Sequence, residues 1–152
     1  MSAIEVENVP APALVEPLKL LETALRASEP VPEVLAAELR ASVERGETEV
    51  LLARLNGHPA GVVLVAYRLN ISAGGRFASI EELQVIPQAR ATGIGHALLE
   101  AAVKRCAVRG ISYLEVQTDD EAVAFYKACG FEAEPEVRVL SRSGTISQKP
   151  EA

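Results

Sequence analysis

The chain is poor in the residues that staple or metallate small proteins. Its 152 residues include two cysteines, Cys106 and Cys129, and two histidines, His58 and His96. Two cysteines exclude a disulfide scaffold and any four-cysteine site. Two histidines so far apart argue against zinc, and no metal is expected. Basic residues are also in deficit, with 15 Lys and Arg against 21 Asp and Glu and a formal net charge of -6. That balance argues against a nucleic-acid partner, which selects a basic face. No apolar run approaches the roughly 20 residues that cross a bilayer, so no membrane partner is expected either. The opening Met1-Ser2-Ala3-Ile4-Glu5-Val6-Glu7 lacks the basic and apolar regions of a secretory signal. A reduced, cytoplasmic setting is the expectation. Internal repeats and low-complexity tracts are absent from the sequence.

What is present suits an ordinary soluble domain: 49% apolar and 24% charged residues. A chain of this length fits one domain, expected over 1–152 with a frayed tail from 141 to 152. Ala3 to Asn8 reads as a short strand. A helix is expected from Pro17, with Leu18, Leu21 and Leu25 at helical spacing. After the Pro-containing run from Ser28 to Pro32, Leu35, Leu39 and Val43 mark a second helix, stopped by Gly46. Thr48 to Leu55 and Pro59 to Tyr67 flank Asn56-Gly57, a strong hairpin signal. The second of these strands is apolar on both faces, as a central strand would be.

Ala78 to Ile86 reads as a further strand, ended by Pro87. A helix follows Gly93-Ile94-Gly95 and runs to about Arg109, with Leu99, Ala102, Val103 and Cys106 as its buried stripe. Ile111 to Thr118 is a strand. Asp119 or Asp120 can cap a short helix that Gly130 ends, and Phe131 to Leu140 has strand character. A strand, a crossover helix and a strand imply a parallel pair, so the sheet is mixed and the class is α/β (α+β).

Two segments carry chemistry. In Leu83-Gln84-Val85-Ile86-Pro87-Gln88-Ala89-Arg90-Ala91-Thr92-Gly93-Ile94-Gly95-His96, a strand enters a glycine-bearing turn that opens a helix. First-turn N–H groups have no partner within a helix, and the macrodipole is positive there, so the turn is a phosphate site. Arg90 adds charge. A tight strand–helix turn with packing glycines is the plainer alternative. Neither a Walker A loop nor a dinucleotide fingerprint is present. The second segment is Ala122-Val123-Ala124-Phe125-Tyr126-Lys127-Ala128-Cys129-Gly130-Phe131, where Tyr126 alone could be a core tyrosine.

Together, R-x-x-G-x-G between strand and helix, then F-Y-K-x-x-G-F about 30 residues on, resemble the GNAT superfamily of acyl-CoA-dependent N-acetyltransferases. The resemblance is close over about residues 48 to 133 and follows the element order of the whole chain. It implies a single domain with a centrally splayed, mixed sheet flanked by helices, and acetyl-CoA as acyl donor. It places the CoA pyrophosphate on the backbone N–H groups of Arg90, Ala91, Thr92, Gly93, Ile94, Gly95 and His96. Leu83 and Val85 would line the pantetheine arm, and the Val85 N–H would face the thioester carbonyl. Tyr126 would protonate the departing thiolate and also border the cofactor.

The acceptor amine must lose a proton before it attacks. Glu81 is the candidate base, because strand alternation puts it on the face of Leu83 and Val85, and Glu82 on the other. Glu81-Glu82-Leu83 also resembles the acidic pair of polyamine-type members. Glu81 could instead only attract a cationic substrate. Three positions depart from the family pattern. Ala91 replaces a common Gly, which puts a left-handed residue there in question. Thr92 stands where a longer polar residue is frequent. Asp119 stands where many members carry an Asn that faces the pantetheine, and could only cap a helix.

The expected function is N-acetylation of a primary amine, with a small-molecule acceptor. A non-catalytic acyl-CoA sensor and an enzyme acting on a protein N-terminus or lysine are the alternatives. Many relatives dimerise, and a homodimer is left open. His58, Cys106 and Cys129 read as surface or structural residues.

Overall fold

In the computed structural model the described residues are 3–144. They divide into two compact units, Met1–Asp119 and Asp120–Ala152. Most of the expected tail, 145–152, lies outside the described residues.

The first unit is built on a five-stranded sheet in the order β1-β2-β3-β4-β5. Its elements follow in chain order: β1 (Ile4–Asn8), α1 (Val15–Leu25), α2 (Glu33–Glu44), β2 (Thr48–Leu55), β3 (His58–Asn70), β4 (Gly75–Val85), α3 (Ile94–Val108) and β5 (Leu114–Val116). β1 to β4 are antiparallel, and β4 pairs with β5 in parallel. The mixed sheet expected from the sequence is therefore present. Asn56-Gly57 closes the β2–β3 hairpin between Leu55 and His58.

β3 is the central strand, and its side chains are buried on both faces, as its unbroken apolar run predicts. Val50, Leu52 and Val62 share one face with Leu14, Leu20 and Leu21, so α1 and α2 cover that side. The other face carries Leu51, Val63 and Val65, each at most 1% exposed. Against that face lie Leu98, Leu99, Ala102 and Cys106 of α3, all buried. Burying a Leu or Val stabilises by roughly 1.5–3 kcal/mol, so these two apolar layers fix both helix layers on the sheet.

Near the C-terminus of α3, Glu49 of β2 is buried and satisfied from four sides. Arg105 reaches both its oxygens, at 3.1 and 2.6 Å, and the Tyr67 hydroxyl donates at 2.6 Å. Arg109 donates at 3.5 Å and Asn8 at 3.3 Å. Arg109 also stacks on Tyr67 at 3.8 Å and donates to the Gly46 carbonyl. Burial pushes Glu49 up, but the bonds from Arg105 and Tyr67 and the charges of Arg109 and Arg105 outweigh it and leave its carboxyl low.

The structure corrects several sequence expectations in this unit. α1 begins at Val15 after a 3-10 turn at Ala11–Ala13, and Pro17 lies inside its first turn. Leu35 and Val103 are exposed, because the inward positions of α2 and α3 are Ala36 and Leu98. β3 and β4 extend to Asn70 and back to Gly75, while β5 is only three residues long.

The second unit holds α4 (Val123–Ala128). Its N-cap is Ala122, so the helix opens after Asp119 and Asp120, which do not occupy the cap position. No strand forms over 131–140, contrary to its β-like composition. These residues are largely exposed, and strand propensity without burial does not order a chain. Among the described residues, no helix is long and apolar enough to cross a membrane.

Candidate active site

β4 loses its parallel neighbour halfway. Its pairing with β5 covers only Ala78, Ser79 and Ile80, yet β4 continues to Val85. The strand edge from Glu81 to Val85 therefore has no β5 partner. The register with β3 shifts at the same point: Ile80 opposes Val65, Glu82 opposes Leu64, and Glu81 is the extra residue. Such a bulge bends a strand and re-aims its side chains. The Ile86 N–H bonds the Ala60 carbonyl of β3 at 2.9 Å. Successive N–H groups alternate along a strand, so the Val85 N–H points to the opened side.

The bulge overturns the expected facing of Glu81. By register, Arg68, Ser79 and Glu82 lie on the α1–α2 face, and Leu83 and Val85 on the α3 face. Glu81 accepts from Arg68 at 2.9 Å and is held by Ser79 as well, so it sits with them and with Glu82. Strand alternation fails here because one residue is unpaired.

The two carboxyls are driven apart. Burial raises Glu81, but the bonds from Ser79 and Arg68 outweigh it and leave it below the usual carboxylate range. Glu82 is raised by burial and by the adjacent Glu81 charge. Of this pair, Glu82 is the one poised to take up a proton, and sequence reasoning ranked it second.

The loop after β4 has the geometry of an anion site. Pro87–Ala89 form a 3-10 turn and Arg90 is extended. Ala91 is left-handed at φ 63°, and Gly93, the N-cap of α3, at φ 93°. The left-handed conformation that the Ala91 side chain puts in question is adopted by the alanine itself, at a cost of roughly 1–2 kcal/mol. The Thr92 hydroxyl donates to the Ala89 carbonyl and braces the turn. The Ala97 N–H bonds the Gly93 carbonyl at 2.9 Å, so the bonding of α3 starts there and the first-turn amides aim out of the helix end. A Cβ on Gly93 would meet only Ile4 Cδ1, at 3.8 Å, so the ground beside the turn is open. Exposed Arg90 adds a cation. These features fit a pyrophosphate.

His96 lies exposed on the first turn of α3, and Asp119 is exposed at the end of the first unit. Tyr126 belongs to the second unit. There it is buried edge-on between Phe125, with centroids 5.2 Å apart, and Phe131, at 5.5 Å. Cys106 is buried, which pushes its thiol up and makes it a poor nucleophile. Among the described residues, no group of three or more His, Cys, Asp and Glu could hold a metal ion.

A mixed five-stranded sheet, with β4 running past the end of β5 into a turn that opens α3, defines an α/β (α+β) fold of one sheet flanked by helices. The chain belongs to the acetyltransferase (GNAT) family, whose pattern matches residues 15–131. It is similar to "GCN5-related N-acetyltransferase 2, chloroplastic" of Arabidopsis thaliana, 37% identical over 59 residues, 39% of this chain and 23% of that protein. The match thus spans less than a quarter of that curated relative's length. The fold is similar to that of an aminoglycoside acetyltransferase from an uncultured soil metagenomic sample, solved with sisomicin. That likeness has a TM-score of 0.78 and 20% identity, covering 92% of this chain and 95% of the other. A predicted acetyltransferase from Clostridium acetobutylicum, solved with acetyl-CoA, gives a TM-score of 0.75 at 16% identity over 91% of this chain and 96% of the other. At these identities the likeness concerns the fold.

Proposed function

We propose that this protein transfers an acetyl group from acetyl-CoA to a primary amine of a small molecule. The observation that carries this reading is the turn from Arg90 to Gly93, opening α3 beside the unpaired edge of β4. The backbone of Arg90 to His96 would hold the pyrophosphate, and Leu83 and Val85 the pantetheine arm. The thioester would supply the activated acyl group. The Val85 N–H is the donor for the charge that develops on the carbonyl oxygen.

An amine arrives as an ammonium and has no lone pair until a proton leaves. Glu82, raised by burial and by the Glu81 charge, is the better base of the pair, directly or through a water. Glu81, kept ionised by Arg68, contributes a fixed negative charge that favours a cationic acceptor. Tyr126 carries the proton-donor role by family resemblance. A fold likeness to an aminoglycoside acetyltransferase solved with sisomicin supports the choice of a small-molecule acceptor.

The test is a thermal-shift titration with acetyl-CoA, followed by thiol-release assays on a panel of amines. A cofactor at 100 times its Kd should add about 2.7 kcal/mol, a shift of several degrees. Binding with no thiol release from any amine would favour a sensor. No shift at millimolar acetyl-CoA would remove the reading.

A further inference from the structure

We propose that Gly61 is the residue that positions the phosphate-binding turn, because both ends of that turn are seated on it. This rests on the acetyl-CoA reading above and names a determinant of its affinity. Gly61 lies in the central strand β3, buried, and its register partner is Val85, the last residue of β4. Its neighbour Ala60 accepts the Ile86 N–H at 2.9 Å, which fixes where the chain leaves the sheet. The other end of the turn is Ile94, the first residue of α3. A Cβ on Gly61 would stand 2.7 Å from Ile94 Cγ2, 2.9 Å from Leu98 Cδ1 and 3.1 Å from the Gln84 carbonyl.

These three neighbours cannot yield equally. Leu98 Cδ1 is the far end of a flexible side chain. Ile94 Cγ2 is branched directly on Cβ, and a β-branched residue in a helix has one strongly preferred χ1 rotamer. The Gln84 carbonyl is backbone. A methyl group at 61 therefore displaces the first turn of α3, the end of β4, or both. The amides of the turn and the Val85 N–H are carried by those same two ends. Glycine is required here for the close approach of helix and strand, and its backbone conformation is not the reason.

Calorimetric titration with CoA separates this role from a merely structural one. Three variants are compared with wild type. Gly61→Ala should weaken CoA by about tenfold or more, since ångström-scale misplacement has large effects on a preorganised site. Val50→Ala removes core volume on the opposite face, against α1. It should lower Tm with CoA affinity unchanged. Gly61→Ala/Ile94→Ala removes the unyielding Cγ2 and should recover most of the lost affinity. Should the single variant not fold, the double variant decides alone against wild type: near-wild-type CoA affinity supports the role, and a folded double variant weakened by about tenfold or more overturns it. Wild-type affinity in Gly61→Ala overturns the inference, and so does a folded double variant that binds CoA no better than the single one. If wild type itself binds no CoA, the proposed function falls first and this role with it.

Discussion

Glu49 and the Glu81–Glu82 pair lie on opposite faces of one sheet, and their surroundings treat them differently. Glu49 has an 8% exposed side chain and meets two guanidiniums, a phenol and an amide. Its cluster carries more positive than negative charge, and the bonds to Glu49 tie β2 to β1, to β3 and to the C-terminal end of α3. Glu81 and Glu82 sit side by side, Glu81 meets one guanidinium, Arg68, and it keeps a 40% exposed side chain. Their surplus is negative and unbalanced. A buried acid with its partners complete serves to hold the fold. An acid pair with too few partners retains a proton affinity that chemistry can use. Glu49 and Glu82 also answer pH with opposite signs. Glu49 is lowered, so its contribution is full above its ordinary value of 4.5 and is lost as pH falls below it. Glu82 is raised, so it penalises the fold as pH climbs past 4.5.

The contrast can be broken from either side. The largest effect expected is on the structural cluster: Glu49→Ala leaves Arg105 and Arg109 without their counter-charge. It should cost about 3 kcal/mol, a fall in Tm of roughly 10 °C, with the acceptor KM unchanged. A denaturation curve and steady-state kinetics on the folded variant check this. Next comes Glu82→Gln, expected to lower kcat by about 10²-fold. The same variant should hold or raise Tm at neutral pH, because the penalty of ionising Glu82 is removed. A fall in both would make Glu82 structural. Smaller again is Glu81→Gln. Removing that charge lowers Glu82, so the acid limb of the pH–rate profile should move to lower pH with activity retained. Loss of activity at every pH would return the base role to Glu81. The smallest is Ala91→Gly, which relieves the left-handed alanine at φ 63° and should stabilise by about 1 kcal/mol in thermal melts.

Much of this was legible in the sequence, and the exceptions have physical causes. Thr48 to Leu55 forms a strand with the bounds expected from the sequence, because the apolar run Val50 to Ala53 and the Asn-Gly turn that follows agree. The turn at Arg90 to Gly93 was visible as glycines between a strand and a helix. The facing of Glu81 was not, because a one-residue bulge inverts alternation and leaves no mark in composition. The Glu49 cluster was invisible for a related reason: Asn8, Glu49, Tyr67, Arg105 and Arg109 are scattered over a hundred positions and meet only through the sheet order. Gly61 was read as one residue of an apolar strand, since nothing in the sequence says that a helix will land on it.

The most direct test of the account is the pH dependence of acetyl transfer to a responsive amine, measured for wild type, Glu81→Gln and Glu82→Gln together. The account predicts an acid limb in wild type, the same limb at lower pH in Glu81→Gln, and no such limb in a much slower Glu82→Gln. A Glu82→Gln enzyme with wild-type turnover and an unmoved acid limb would contradict it.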